Sequence, residues 1–266
     1  MDISFVILTW NSEKYITKCL DLLLNELINC NFLYEIFVVD NGSEDNTPHL
    51  LKLYRERFPQ NIFPIFLKRN YGTTLPRNIA LKKTNGDILI IMDSDVETLE
   101  GTIEKLVEFV KREKNVGIVA PRLFYPDGKL QKSTDVFPTI CNKTHRFFFL
   151  KRIEKIKNEV YQDEQITEVD YAISAMWVFR KELIKKVGLL DEKIFYAPED
   201  VDYCLRVWKS GFKVMYLPEA KCIHHTQEVS RGIRINVHKI HHILGLLYYF
   251  KKHGYFFKKP SYTNKD

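Results

Sequence analysis

Asp93 and Asp95 flank Ser94 where the apolar run Ile90–Met92 ends. Carboxylates two residues apart at such a place suit four uses. The plainest is a polar strand end meeting water. A calcium loop of the EF-hand type needs glycine at its sixth position and glutamate at its twelfth. Counted from Asp93 these are Thr98 and Glu104, so the glycine is missing. Proton transfer between such neighbours needs surroundings that pull their pKa values apart. The fourth use is a clamp for Mg2+ or Mn2+, bound through one or two carboxylates together with substrate phosphates.

Other residues could join this chemistry. Arg77 precedes Asn78 just upstream, and a guanidinium can meet a phosphate bidentately, or be a solvated helix charge. Glu199 and Asp200 follow Pro198 at a helix start, where acids complement the helix dipole. Held in a cleft, such an acid takes a proton from an attacking hydroxyl. His224 and His225 follow a strand; a histidine pair there is structural or, beside carboxylates, a source of Mn2+ ligands. His238, His241 and His242 have the spacing of an exposed helix face and are read as non-catalytic.

These residues need a scaffold, and the chain supplies one. Of 266 residues, 45% are hydrophobic and 13% aromatic, enough for one large core and against global disorder. The five cysteines form no CxxC pair, so free thiols in a reducing, cytoplasmic setting are expected. The first ten residues hold Asp2 and no basic segment, so no signal peptide is expected, and no apolar run reaches membrane-spanning length. The net charge of +6 favours anionic partners weakly; the basic residues are dispersed and nucleic-acid binding is not expected.

Apolar runs at Ile3–Leu8, Tyr34–Asp40, 61–67 and 87–93 alternate with helix-like segments at 12–29, 47–58, 74–84 and 99–113. That alternation predicts a parallel α/β sheet with ligands beyond the carboxyl ends of its strands. Pro64 marks the third run as an edge or irregular strand. Each run ends in polar residues: Thr9-Trp10-Asn11, Asp40-Asn41-Gly42-Ser43, Lys68-Arg69-Asn70 and Asp93-Ser94-Asp95, a candidate site rim. Beyond residue 120 the spacing predicts a hairpin at 123–131, one buried strand at 169–179, a short helix at 181–187, a helix at 198–211 and strands at 213–218 and 220–225. Residues 139–168 are aperiodic, basic and aromatic. Residues 1–231 read as one domain, and 232–266 as a basic, aromatic helical extension that packs on it, dimerises or meets an anionic membrane.

Five segments, in order and spacing, resemble the family 2 inverting glycosyltransferases of GT-A fold, particularly a bacterial rhamnosyltransferase-like branch. They are VILTWNSEKYITKCLDLLL, EIFVVDNGSEDNT, NYGTTLPRNIALKKTNGDILIIMDSDV, VGIVAPRLFYPDGKLQKS and LIKKVGLLDEKIFYAPEDVDYCLRVWKSGFKVMYLPEAKCIHH. The resemblance implies a Rossmann-like, mostly parallel sheet flanked by helices, and roles residue by residue. Thr9, Asn11 and Glu13 would lie beside the donor nucleotide, Asp40 and Asn41 at base and ribose, and Arg77 near the diphosphate. Asp93, Ser94 and Asp95 would form the DxD element, with both acids and His224 toward a divalent metal. Asp200, beside Glu199, would be the general base. The donor would be a nucleotide diphospho-sugar, UDP- or dTDP-linked, and the acceptor a hydroxyl of a glycan or lipid-linked chain in surface polysaccharide assembly. Two departures are visible: Trp10 stands where tyrosine is common, and TTLP at 73–76 replaces smaller residues. A sugar-nucleotide nucleotidyltransferase, which has a related core, should carry a Gly-rich loop after its first strand, where this chain reads TWNSEKY. A non-catalytic binding or assembly protein of the same fold is the other alternative.

Overall fold

The computed structural model describes residues 1–28, 30–139, 164–226, 237–255, 257, 258 and 260. Strand β1 (Ile3–Thr9) is apolar at nearly every position because both its faces are covered. Ile3, Phe5 and Ile7 enter one core and Val6 the other. Its parallel neighbours are β2 (Tyr34–Asp40) and β4 (Ile88–Asp93), and β3 (Ile62–Phe66) pairs with β2 at the sheet edge. Pro64 sits in β3, where the missing N–H costs no inner ladder bond. Helices α1 (Ile16–Ile28), α2 (Thr47–Arg57) and α3 (Thr74–Leu81) make the connections.

The second half departs from the parallel rule. Strands β5 (Val96–Thr98), β6 (Val116–Phe124), β7 (Leu130–Gln131), β8 (Thr134–Asp135), β9 (Thr167–Glu168), β10 (Tyr171–Ala172), β11 (Met176–Arg180) and β12 (Lys213–His224) follow, with α4 (Thr102–Arg112), α5 (Glu182–Val187), α6 (Glu199–Lys209) and α7 (Val237–His253). The main sheet runs β3-β2-β1-β4-β11-β6-β12-β5. β11 is antiparallel to both its neighbours, whereas β12 and β6 are parallel. Helices α1, α2 and α4 cover one face; α3, α5, α6 and α7 cover the other.

Several expected elements differ. The run at 169–179 is two strands, broken at Ile173–Ala175, and that break carries Ser174 into the site. The two strands expected at 213–218 and 220–225 are one long strand whose register shifts between Leu217 and Lys221, beside Pro218. The hairpin at 123–131 is present, turning at Gly128 with φ of 80°. The expected boundary at 231/232 lies outside the described residues, as does most of 139–168. Helix α7 buries Tyr249 and Phe250 in the core beneath α6. Among the described residues no helix is long and apolar enough to cross a membrane.

Candidate active site

In-register parallel pairing brings three strand ends to one level. Thr9 lies opposite Asp40 across β1 and β2, and Leu8 opposite Asp93 across β1 and β4. The chain then turns through Ser94-Asp95 into β5, which runs antiparallel to β12 with Val96 opposite His224. This pairing gathers Asp93, Asp95 and His224, whose ligand atoms lie within 4.8 Å of one another. His224 Nε2 is 3.4 Å from Asp95 Oδ1. Its other nitrogen, Nδ1, is 3.0 Å from Oε1 of the buried Gln131 on β7. An Nδ1–H donated to Gln131 leaves the Nε2 lone pair for the acids' side, as metal-ligating histidines are generally held. Two carboxylates and one imidazole make a donor set that fits Mn2+ or Mg2+. His225 belongs elsewhere: it bonds Glu97, which also pairs with Lys18 at 2.8 Å, and its ring lies 5.2 Å from that of Tyr15.

Arg77 ties this cluster to the first turn of α6. Its Nη2 donates to Asp93 Oδ1 at 2.6 Å and to the Ser174 carbonyl at 3.2 Å. Its Nη1 donates to Ser174 Oγ at 2.8 Å and to Glu199 Oε1 at 3.3 Å. The Ser174 hydroxyl donates in turn to Glu199 Oε1 at 2.9 Å. The Arg77 side chain is only 2% exposed, its guanidinium facing Asp93, Ser174 and Glu199 rather than solvent. The buried Glu199 and the half-buried Asp93 both claim the guanidinium, and Glu199 left there as an unpaired charge would cost several kcal/mol. The adjacent Asn78 holds the loop before α6, donating to Leu190 O and Glu192 Oε1 and accepting from Leu190 N. Thr73 and Thr74 bond carbonyls of residues 194–196 on the same loop.

The acids have raised proton affinities where burial dominates. Burial pushes Asp93 up, Asp95 adds to this, and Arg77 works against it. Glu199 is raised by burial and by the charge of Asp200, against Arg77 and Ser174. Burial disfavours the charged form of His224, yet its hydrogen bond to Asp95 and the nearby acids raise it overall. Tyr196 is pushed up to about 12 by burial and by the charges of Glu199, Asp93, Asp200 and Asp95. The charges of both acidic motifs thus act on one phenol. Asp200 is half-buried and accepts from Val201 N at 2.8 Å, whereas Glu199 is buried.

The remaining expected residues line the loops after β1 and β2, which are zipped together. Asn11, with φ of 48°, accepts from Glu44 N and donates its own N–H to Ser43. Glu13 accepts from Asn46 N. Thr9 and Asp40 are buried; Thr9 Oγ1 has no partner among the described residues, and burial raises Asp40. Asn41 braces the turn at 70–72 with three hydrogen bonds, so its amide is engaged within the protein. Ser94 Oγ donates to Ser12 Oγ at 2.9 Å. Gln131 and Ser174 are not singled out by the sequence: Ser174 offers only the signal of a polar residue inside an apolar run, and Gln131, among lysines in a short polar stretch, offers none.

Comparison with known proteins agrees with this architecture. The sequence model of the family described as Glycosyl transferase family 2 matches residues 4–188. An N-acetylglucosaminyl-diphospho-decaprenol L-rhamnosyltransferase of Mycobacterium tuberculosis is 27% identical over 205 residues, 71% of this chain and 66% of that protein. The poly(ribitol-phosphate) beta-N-acetylglucosaminyltransferase TarS of Staphylococcus aureus is 27% identical over 214 residues, 74% of this chain and 35% of that protein. The chain therefore spans less than two thirds of these relatives' length. The crystal structure of GalNAc-T7 with UDP, GalNAc and Mn2+ shares the fold, with a TM-score of 0.70 at 14% identity over 94% of this chain and 48% of that one. From the sequence match, this chain belongs to glycosyl transferase family 2.

Proposed function

We propose that the chain transfers a sugar from a nucleotide diphospho-sugar to a hydroxyl of a glycan or lipid-linked acceptor, with inversion at the anomeric carbon, in surface polysaccharide assembly at the cytoplasmic face. The observation that carries this reading is Arg77, which bonds Asp93 and Glu199 at once and so joins the two acidic motifs into one site. The names of the two relatives point the same way, one giving an N-acetylglucosaminyl-diphospho-decaprenol and the other a poly(ribitol-phosphate).

Asp93, Asp95 and His224 would hold Mn2+ or Mg2+, which when bound supplies positive charge to offset that developing on the leaving diphosphate. Asp200 accepts the proton of the acceptor hydroxyl as that oxygen attacks from the face opposite the diphosphate. Its partial exposure suits contact with an acceptor; Glu199, buried against Arg77 and Ser174, suits holding the motif in place. Arg77 acts through Asp93 and Glu199. Thr9, Asn11, Glu13, Asp40 and Asn41 lie at the strand ends where the donor nucleotide would sit, UDP- or dTDP-linked.

Asp200→Asn should lower transfer roughly 1000-fold and leave metal-dependent thermal stabilisation by the donor unchanged. The donor is first found by screening UDP-, dTDP- and GDP-sugars with Mn2+ for such stabilisation. Turnover by Asp200→Asn at the wild-type rate would remove the assignment of the base. A nucleotidyltransferase would instead be stabilised by a nucleoside triphosphate with a sugar phosphate.

A further inference from the structure

Helix α7 has two unlike faces. The inner one is fixed to the domain: His241 stacks on Phe195 with centroids 4.3 Å apart, Gly245 lies against the carbonyl of Ala197, and Tyr249 and Phe250 are buried. A Cβ at Gly245 would come within 2.0 Å of that carbonyl oxygen, so the approach requires glycine. On the outer side Ile240, Ile243, Leu244 and Leu247 are 49%, 56%, 56% and 60% exposed. Their spacing is i, i+3, i+4, i+7, which makes a single stripe along the helix. The exposed Lys251 follows one turn on, and Phe257, 72% exposed, and the exposed Lys258 lie beyond the helix.

We propose that this stripe is a docking surface for an anionic lipid bilayer, with α7 lying in the interface plane. A lone exposed leucine is ordinary, but four large apolar side chains on one helical stripe are not. Charge selects the occupant. From Arg231 to Asp266 the sequence carries eight Lys and Arg side chains and one acid, although the whole chain is nearly balanced at 40 basic against 34 acidic; of the eight, Lys252 pairs with Asp191 and Asp202 on the domain side. Two copies meeting through this segment would bring like charges together. An anionic bilayer meets both the apolar stripe and the basic flanks, the pattern of an interfacial amphipathic helix.

The position of the stripe bears on the reaction. The inner face of α7 touches Phe195 and Ala197, immediately before Glu199 and Asp200. A bilayer on the outer face lies roughly one helix diameter, about 10 Å, from the loop that carries the base. An acceptor whose lipid tail stays in the bilayer would enter the site from that side; this last step rests on the glycosyl-transfer reading, whereas the docking surface does not.

The test is co-sedimentation of the full chain with phosphatidylglycerol–phosphatidylcholine vesicles and with pure phosphatidylcholine vesicles, without donor or acceptor. Wild type should partition onto the anionic vesicles about 10-fold more strongly, and added salt should remove that difference. A combined Ile243→Gln, Leu244→Gln, Leu247→Gln variant should lose partitioning at least ~100-fold while keeping the wild-type unfolding midpoint. Equal binding by wild type and variant would overturn the proposal. So would a wild type that ignores vesicles and sediments as a dimer which the variant splits, since a second copy would then be the occupant. Donor stabilisation of the wild type keeps the two readings apart: a wild type that binds donor but not anionic vesicles sinks only the docking surface, and one that binds those vesicles but no donor sinks only the transfer reading.

Discussion

Glu199 and Asp202 stand three residues apart in the first turn of α6, both buried, and their proton affinities move in opposite directions. Glu199 shares one cation, Arg77, with Asp93 and has Asp200 beside it, so burial wins and its pKa rises. Burial also works against the charge of Asp202. Yet a hydrogen bond from His253, the charge of Arg206 and Lys252 at 2.7 Å outweigh it, and the carboxyl is held down to about 2. One helix thus carries an acid with too few cations at its site end and an acid with cations to spare toward α7. The first arrangement is common where protons are handled; the second fixes elements together. The cations at Asp202 come from α6 itself and from α7, so α7 is anchored through the helix that presents Asp200, the proposed base.

The sharpest way to break the contrast is to remove the shared cation. Arg77→Leu strands Asp93 and Glu199 without a counter-charge and should destabilise the fold by about 4 kcal/mol. Transfer and metal-dependent donor stabilisation should fall with it, both measurable on the fraction that stays folded. An Arg77→Leu protein with wild-type stability would mean that the two acids are already neutral at the working pH. Next comes Asp202→Asn, which leaves Arg206, Lys252 and His253 facing one another and should cost about 3 kcal/mol by urea denaturation. Its metal and donor binding should be unchanged, because none of its partners reaches the DxD cluster. Loss of donor binding in that variant would show the two ends of α6 to be one unit.

A smaller effect is expected from Gln131→Leu, which removes the acceptor of the His224 Nδ1–H and frees the ring to turn. Metal affinity should drop about 10- to 100-fold, read by titrating Mn2+ against its electron paramagnetic resonance signal, with little change in fold stability. Gln131→Glu, which still accepts that hydrogen bond, should restore most of the affinity. Leu and Glu variants that bind alike would remove the positioning role.

The parallel half of the fold was readable because its strands are buried on both faces and its helices show 3.6-residue spacing. DxD at the end of β4 and the acids at the start of α6 could be located for the same reason. The rest fails where local signals are shorter than one turn of structure. Strand β5 has three residues, too few for any period, yet its pairing with β12 is what sets His224 beside Asp95. The apolar run at 169–179 gives no hint of its break, so Ser174 passed for a strand residue. For Arg77 the sequence offers a phosphate contact or a solvated charge but not its ion pairs, because Asp93 and Glu199 meet it only through sheet and helix packing. The stripe on α7 was legible as composition but not as a face, since helical spacing alone does not say which side meets the domain.

The smallest expected effect is the most direct test of the contrast, because it reads the opposite shifts as opposite slopes of stability against pH. Asp202 is lowered from 3.8 to about 2, so it stabilises the fold above pH 4 and loses that contribution as pH falls toward 2, about 2 kcal/mol in all. Glu199 is raised from 4.5, so the folded state holds its proton longer than the unfolded one. Stability from that group is therefore full below pH 4.5 and declines as pH rises toward the elevated value. Unfolding free energies measured by urea from pH 2 to 9 should rise on the acid limb and sag on the neutral one. Asp202→Asn should flatten only the first limb and Glu199→Gln only the second. If Asp202→Asn leaves the acid limb unchanged, the cations around it are pairing with water rather than with the carboxylate. If Glu199→Gln leaves the neutral limb unchanged, Arg77 alone compensates both acids and the distinction between the two ends of α6 disappears.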